Sequence, residues 1–231
     1  AKLREHNKQN AMVPNLCQTR KKLLFLEYPY RLVERKYHVT IGLPRVLSYW
    51  ENMPFWSTFW RALGFQVQIS DPSTRKIYEN GLSAVTSDTI CFPAKLVHGH
   101  IRNLAEKKVD RIFMPSITTV PSENTEKTSQ SMCAVVKGYP IVIRNSDDPE
   151  KRFQIPFDAP LFHWYRTEDR DLQLTQYMEE KFQIPRKSVL AAIKMADAAQ
   201  NTFRKELQEE GRAVLEKMER TGGYAIVLAS R

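Results

Sequence analysis

The sequence predicts an α/β domain built on a mostly parallel sheet with helices on both faces. Short β-branched segments alternate along the chain with longer segments of helical spacing, and Gly or Pro stands at most junctions. The 231 residues are 42% hydrophobic and 26% charged, which suits one large folded domain or one and a half smaller ones. Alternating strands and helices favour parallel pairing, which brings the carboxyl ends of the strands to one edge, where such folds bind ligands.

The first half of the chain contains three predicted strands and the helices between them. The strands are residues 38–44, 65–69 and 109–114. Apolar spacing predicts helical structure over 47–63 in two pieces, because Pro54 interrupts the pattern. Ser70-Asp71-Pro72 is a helix-start signal for a short helix that Gly81 ends. A further helix is expected over 93–108.

The second half is predicted to be largely helical. Residues 118–131 read as a mobile loop over the ligand edge, 138–144 fit a strand or a helix, and the segments around 147–149, 156 and 160 are expected to be irregular. A helix is predicted over 168–182, Pro185 breaks it, and a longer helix runs from Ser188 toward Gly222, with Gly211 as its weak point.

The last segment, 224–231, has the pattern of a buried strand. Such a strand needs neighbours, and the chain does not begin with Met, so we expect a fragment of a multidomain protein. The predicted division is a basic leader or linker (1–38), an α/β domain (39–165), a helical segment (166–222) and the start of a truncated second α/β domain (223–231).

Composition narrows the class of protein. No apolar stretch approaches the roughly 18 residues of a membrane span, and the polar N-terminus is not a signal peptide. The three cysteines, Cys17, Cys91 and Cys133, are too few and too scattered for a secreted disulfide framework. We therefore expect a cytoplasmic protein in a reducing compartment.

The net charge of +9 is concentrated in the leader. Residues 1–38 hold nine Lys or Arg and three Glu, so the leader carries +6 and the rest of the chain only +3. None of the usual nucleic-acid modules follows it, so a linker or a docking surface is favoured over a nucleic-acid arm.

Cys91 is the leading candidate for chemistry. It precedes Pro93 and the predicted helix that carries Lys95, His98 and His100, so it lies where unpaired N–H groups and the helix dipole favour a thiolate. A metal ligand or a nucleophile needs that environment. The alternative is a buried cysteine that acts as a small apolar residue.

Other candidate residues give weaker signals. Cys133 follows the loop and can fold back toward Cys91, but His98 and His100 are two apart on a helix and do not suit one zinc site together. Local packing or hydrogen bonding is favoured for each histidine. Five aromatic residues between 50 and 60 are read as core or a domain interface, and Glu51 and Asn52 beside them as residues that can reach a ligand.

Several ordered motifs closely resemble one family. They are Ile41-Gly42-Leu43-Pro44-Arg45-Val46-Leu47, Glu51-Asn52-Met53-Pro54-Phe55-Trp56, Leu63-Gly64-Phe65, Ser70-Asp71-Pro72-Ser73-Thr74 and Cys91-Phe92-Pro93-Ala94-Lys95-Leu96-Val97-His98-Gly99-His100. Over residues 39–231 the chain resembles the domain of unknown function in acyl-CoA dehydratase activase-related proteins, also called CoA enzyme activases. That domain lies downstream of ATPase modules similar to the activator of 2-hydroxyglutaryl-CoA dehydratase.

The resemblance implies a four-iron four-sulfur cluster at the edge of a Rossmann-like domain, in a system where ATP hydrolysis drives low-potential electron transfer. Cys91 and Cys133 match the family's cysteine positions and would be metal ligands, with Lys95 balancing the cluster charge. Ser116 stands where many relatives have a third cysteine, and Cys17 is a poor substitute. Such clusters use four thiolates, so a partner or another domain supplies ligands, or this branch has lost the cluster; the Ser116 oxygen as a cofactor ligand is the less favoured alternative.

The first hypothesis for function is therefore an iron-sulfur-linked accessory domain. It would couple ATP-driven electron transfer, powered by neighbouring ATPase domains of the same polypeptide, to a 2-hydroxyacyl-CoA dehydratase-like partner. The alternatives are a non-catalytic docking module, which would use the basic leader and an aromatic surface, and a pocket for CoA or a nucleotide. Neither a membrane nor nucleic acid is an expected partner.

Overall fold

The computed structural model describes residues 15–28, 36–120 and 130–222. The strands are Thr40–Leu43 (β1), Gln66–Ile69 (β2), Arg111–Phe113 (β3), Ser116–Ile117 (β4), Phe157–Asp158 (β5) and Leu161–Phe162 (β6). The helices are Leu16–Leu24 (α1), Tyr49–Ala62 (α2), Arg75–Leu82 (α3), Phe92–Glu106 (α4), Ala134–Ser146 (α5), Pro149–Phe153 (α6), Thr167–Phe182 (α7) and Arg186–Thr221 (α8).

A parallel sheet in the order β2-β1-β3-β5 forms the centre of the fold, as the sequence predicts. Ile41 of β1 pairs with Val67 on one side and Arg111 on the other. Shortly after β3 and β5 the polypeptide forms two further strands, β4 and β6. They pair in a short second parallel sheet, in which Ser116 pairs with Leu161. Helices flank the sheet, and α8 continues past it as a single long helix.

The segments around 147–149, 156 and 160, expected to be irregular, are irregular only in part. Pro149 begins α6, whereas Pro156 and Pro160 lie outside helices and strands, directly before β5 and β6. The two strands have only two residues each, so neither is long enough to show an alternating pattern, and the neighbouring strands β3 and β4 hold them in place. Residues 138–144, which fit a strand or a helix, lie within α5. The short helix after β2 is capped by Thr74 rather than by Ser70 or Asp71, because the Thr74 side chain accepts from Ile77 N.

Pro54 kinks α2 without ending it. The backbone leaves helical geometry at Asn52, and the groups freed by the kink find partners on other elements. Gln200 of α8 donates to the Glu51 carbonyl at 2.8 Å and accepts from Phe55 N at 3.3 Å. Arg20 of α1 donates to the Trp50 carbonyl. The kinked helix is therefore clamped between α1 and α8.

Most of the aromatic residues between 50 and 60 lie in the core, which is one of the two predictions made for them; the other is a domain interface. Trp56, Phe59 and Trp60 are completely buried, and the Trp56 and Trp60 rings both pack against Phe113 of β3. These three enclosed rings are not available as a docking surface. Glu51, proposed to reach a ligand, pairs with Arg20 at 3.0 Å, and its side chain is largely exposed.

Part of the predicted leader belongs to the folded core. Leu24 of α1 is fully buried and Tyr28 is 3% exposed. The predicted strand 224–231, most of the predicted loop 118–131, and leader residues 1–14 and 29–35 lie outside the described residues. Within the described part of the chain, none of the helices has the length and apolar character needed to cross a membrane.

Candidate functional site

Helices α4 and α5 both begin at the same edge of the sheet. Each leads the chain back toward a strand that runs parallel to the one before it, so each starts near the carboxyl ends of the strands. Cys91 is the N-cap residue of α4, as the sequence predicts, and Cys133 is the N-cap residue of α5. Both side chains are exposed thiols. The fold therefore brings two cysteines, each at the positive end of a helix dipole, to one edge.

A cleft of about 380 Å³ lies between the segment that precedes α4 and the outer face of α5. Its lining is mainly apolar and comprises Thr86, Ser87, Ile90, Ala134, Val135, Gly138, Tyr139 and Val142. Ile90 is the residue before Cys91, and Ala134 is the residue after Cys133. The residues next to both cysteines in the sequence therefore line the same cleft.

Lys95 and Ser116, the predicted cofactor-binding residues, have local partners. Lys95 Nζ donates to the Asp88 carbonyl at 2.8 Å and so fixes the turn that leads into Cys91. Ser116 is 1% exposed, and its hydroxyl donates to the Lys137 carbonyl in the first turn of α5. A residue at position 116 therefore lies beside the turn that Cys133 begins, but the serine oxygen is engaged inside the protein.

A buried hydrogen-bonded chain, which the sequence did not reveal, lies behind the cleft. His98 of α4 is fully buried; its Nδ1 lies 2.9 Å from Asp147 Oδ2 and its Nε2 lies 3.0 Å from the Tyr139 hydroxyl. Tyr139 in turn lines the cleft. From the sequence, packing or local hydrogen bonding is favoured for His98, but its partners in the structure lie far along the chain, and neither Asp147 nor Tyr139 carries a sequence signal that pairs it with this histidine.

Charges around Asp147 stabilise its ionised form. Burial alone raises the pKa of this carboxyl group, but the His98 hydrogen bond and the positive charges of Arg152 and Arg102 outweigh burial and lower it below its ordinary value. Burial raises the pKa of the Tyr139 hydroxyl, and the charges of Cys91 and Asp147 raise it further. The hydrogen-bonded series therefore has the carboxylate of Asp147 at one end and the protonated phenol of Tyr139 at the other.

His100 joins the loop after β2 to α4. Its Nδ1 lies 2.8 Å from Ser70 Oγ and its Nε2 lies 2.9 Å from Ser73 Oγ. Arg45 N donates to Ser70 Oγ at 2.8 Å, so the pattern that satisfies every group has Ser70 donating to Nδ1 and Nε2–H donating to Ser73. In that pattern His100 is not a base for Ser73, and its role is structural.

The His100 contacts predict a pH dependence of stability. Burial, helped by the charge of Arg45, lowers the pKa of His100 from 6.5 to about 4. A lowered histidine pKa means that stability is complete above the unfolded-state value and is lost as the pH falls from about 6.5 through about 4. We expect the wild type to lose about 3 kcal/mol more than His100→Gln between neutral pH and about pH 4, measured by urea unfolding.

The exposed His38 provides the control for this experiment. His38→Gln should follow the wild-type pH profile, since its side chain is in solvent. If His100→Gln also follows the wild-type profile, His100 is not the group whose protonation weakens the fold.

The ligand set for a metal is incomplete within the described residues. No group of three or more His, Cys, Asp or Glu side chains lies close enough there to hold a metal ion. Cys91 and Cys133 provide two thiols, which is half of what a four-thiolate cluster requires. Cys17 is exposed on α1, and its backbone N–H is bonded to Asn15.

The fold and the site define a class: a parallel α/β domain with cysteine-capped helices at the ligand-binding edge. Residues 40–231 match the family model described as the CoA enzyme activase uncharacterised domain, and the chain belongs to that family. The family expected from the ordered motifs is thereby confirmed. Searches of curated proteins and of solved structures gave no match.

Proposed function

We propose that this domain is an iron-sulfur-linked accessory domain of an acyl-CoA dehydratase activase-type protein, in which Cys91 and Cys133 are cluster ligands. The observation that carries the proposal is the placement of both cysteines, exposed, as N-caps of the contacting helices α4 and α5. Thiolate ligands are anionic, and helix N-termini stabilise anions. Lys95, held beside the start of α4, adds positive charge at the same end.

The proposed site is half of a cluster site. A four-iron cluster takes four thiolates, and Ser116 does not add a ligand because its hydroxyl bonds to the Lys137 carbonyl. The remaining ligands come from another domain or from a partner in this proposal. Ligands from a second domain or protein can reach the site only if both thiols are exposed. Both cysteines are exposed, as this proposal requires.

In this role the domain passes electrons at low potential from its ATPase modules to a dehydratase-like partner. The family supports the link to CoA enzyme activases, and the two cysteines support the link to a cluster.

Anaerobic reconstitution of the full-length protein with ferrous iron and sulfide tests the proposal. We expect bound iron and the absorption of an iron-sulfur cluster in the wild type, and loss of most of both in Cys91→Ser and Cys133→Ser, because serine oxygen is a poor ligand for this cluster. Cys17→Ser is the matched control and should bind iron as the wild type does.

Two outcomes count against the proposal. A full-length wild type that binds no iron excludes a cluster. Iron retained by the double variant shows that other residues hold it. Partner binding that survives both serine substitutions, with no iron in any variant, would favour the docking role instead.

A further inference from the structure

We propose that Arg45 binds an anionic oxygen group, a carboxylate or a phosphate, at the carboxyl end of strand β1. Arg45 lies two residues after β1, in the turn that leads into α2. Strand β1 is an interior strand of the sheet, and the carboxyl ends of such strands form the edge at which parallel α/β folds bind ligands. The inference goes beyond the proposed function, because it involves neither cysteine and requires no iron.

The positive charge of Arg45 has no carboxylate partner among the residues that the structure describes. Asp71, whose charge acts on Arg45, forms its own ion pair with Lys107 at 2.9 Å. Arg45 is only partly exposed, and burial lowers the pKa of its guanidinium group below the ordinary value. A charge that is partly removed from water is costly without a counterion, and a bound anion would supply one.

Contacts with Ser70 and Phe25 hold the Arg45 side chain in place. Its Nε–H donates to the Ser70 carbonyl at 3.2 Å, and the centroid of the Phe25 ring lies 3.8 Å from its Cζ atom. The two terminal nitrogens, Nη1 and Nη2, form no hydrogen bond within the described part of the chain. An arginine that is held in one orientation with both terminal nitrogens unused is preorganised to bind an anion through two parallel N–H···O bonds.

Two other arginines of this chain show the same arrangement with the anion present. Arg170 lies over the Phe55 ring and donates through both terminal nitrogens to the Asp197 carboxylate, at 2.6 and 2.8 Å. Arg111 likewise lies over a phenylalanine ring and binds a carboxylate at 2.8 and 2.9 Å. Arg45 has the ring but not the carboxylate. In the proposal, the carboxylate or phosphate group of a ligand takes that place.

The leader completes the proposed site. Phe25 directly follows α1 and lies outside residues 40–231, which match the family model. The fully buried Leu24 anchors this end of α1 to the core, and so fixes the position of the ring that covers Arg45. Anion binding should therefore depend on the leader as well as on the family domain.

Titration of the iron-free protein with inorganic phosphate and, separately, with acetate tests the inference, at constant ionic strength and about pH 8, where ordinary histidines are neutral. The backbone N–H signal of residue 45, followed by NMR, is present in every variant, and we expect it to shift to saturation in the wild type. Arg45→Gln should weaken binding at least about tenfold, and Arg45→Lys, which keeps the charge but not the paired bonds, about fivefold. Phe25→Ala should weaken it about threefold.

Arg144→Gln is the matched control, because Arg144 also donates to a backbone carbonyl, that of Phe157 at 3.3 Å, but is exposed on α5. It should bind both anions as the wild type does. Binding of either anion supports the site and identifies the group that it prefers. If neither anion gives a saturable shift, or if Arg45→Gln binds as tightly as the wild type, Arg45 only holds the loop after β2 and the inference is wrong. Since no iron is present, this result is independent of the cluster proposal.

Discussion

Gly99→Ala is expected to lower the free energy of unfolding by about 3 kcal/mol or more. Gly99 lies where α4 crosses α3, and a Cβ built on it would stand 1.9 Å from the Ile77 carbonyl oxygen. The opposing Gly81 is equally close, since its Cβ would lie 2.3 Å from Gly99 N. Backbone atoms cannot rotate out of the way, so the two helices must move apart and lose packing. Urea unfolding followed by tryptophan fluorescence measures the change.

Two other helical glycines are the matched controls for this substitution. At Gly138 and Gly211 an added Cβ meets nothing within 4 Å. Alanine there should raise the free energy of unfolding by up to about 1 kcal/mol, because it is the better helix former. The substitution of glycine by alanine is thus expected to lower the free energy of unfolding at Gly99 and to raise it at Gly138 and Gly211. A Gly99→Ala midpoint equal to that of the wild type would show that the helices do not cross as closely as the structure has them.

Asp147→Ala is expected to cost about 3 to 5 kcal/mol, because it removes one partner from a buried ionic cluster. Asp147 is fully buried and holds the buried His98 at 2.9 Å and Arg152 at 2.7 Å. Without it, His98 Nδ1–H has no acceptor and the positive charge of Arg152 has no counterion on that side. The measurement is again the urea midpoint, combined with the near-ultraviolet circular dichroism of the aromatic core.

An exposed carboxylate provides the comparison for Asp147. Glu79 pairs with Arg75 at 2.7 Å on the outer face of α3, and both side chains are largely in solvent. Glu79→Ala should change stability by less than about 0.5 kcal/mol. If Asp147→Ala were as mild, the cluster around Asp147 would not be the link that joins α4, α5 and α6.

Local patterns were sufficient to predict much of the fold and one part of the site. Short apolar segments with Gly or Pro at their ends gave the first three strands, because strand and helix periodicity is a property of neighbouring residues. Pro93 and the spacing after it placed Cys91 at the start of a helix, and the structure confirms that position. Ordered motifs also identified the family. Whether Cys91 and Cys133 bind iron stays a prediction.

The remaining features depend on contacts between distant residues, which leave no local signal. His98 and Asp147 are 49 residues apart, and neither is unusual in its own segment. The two-residue strand β5 exists only because β3 pairs with it. The close approach of Gly81 and Gly99 depends on how α3 and α4 cross. The sequence by itself thus determined which elements form and where a cysteine begins a helix, and tertiary packing decided which side chains meet, since those contacts join elements that are far apart along the chain.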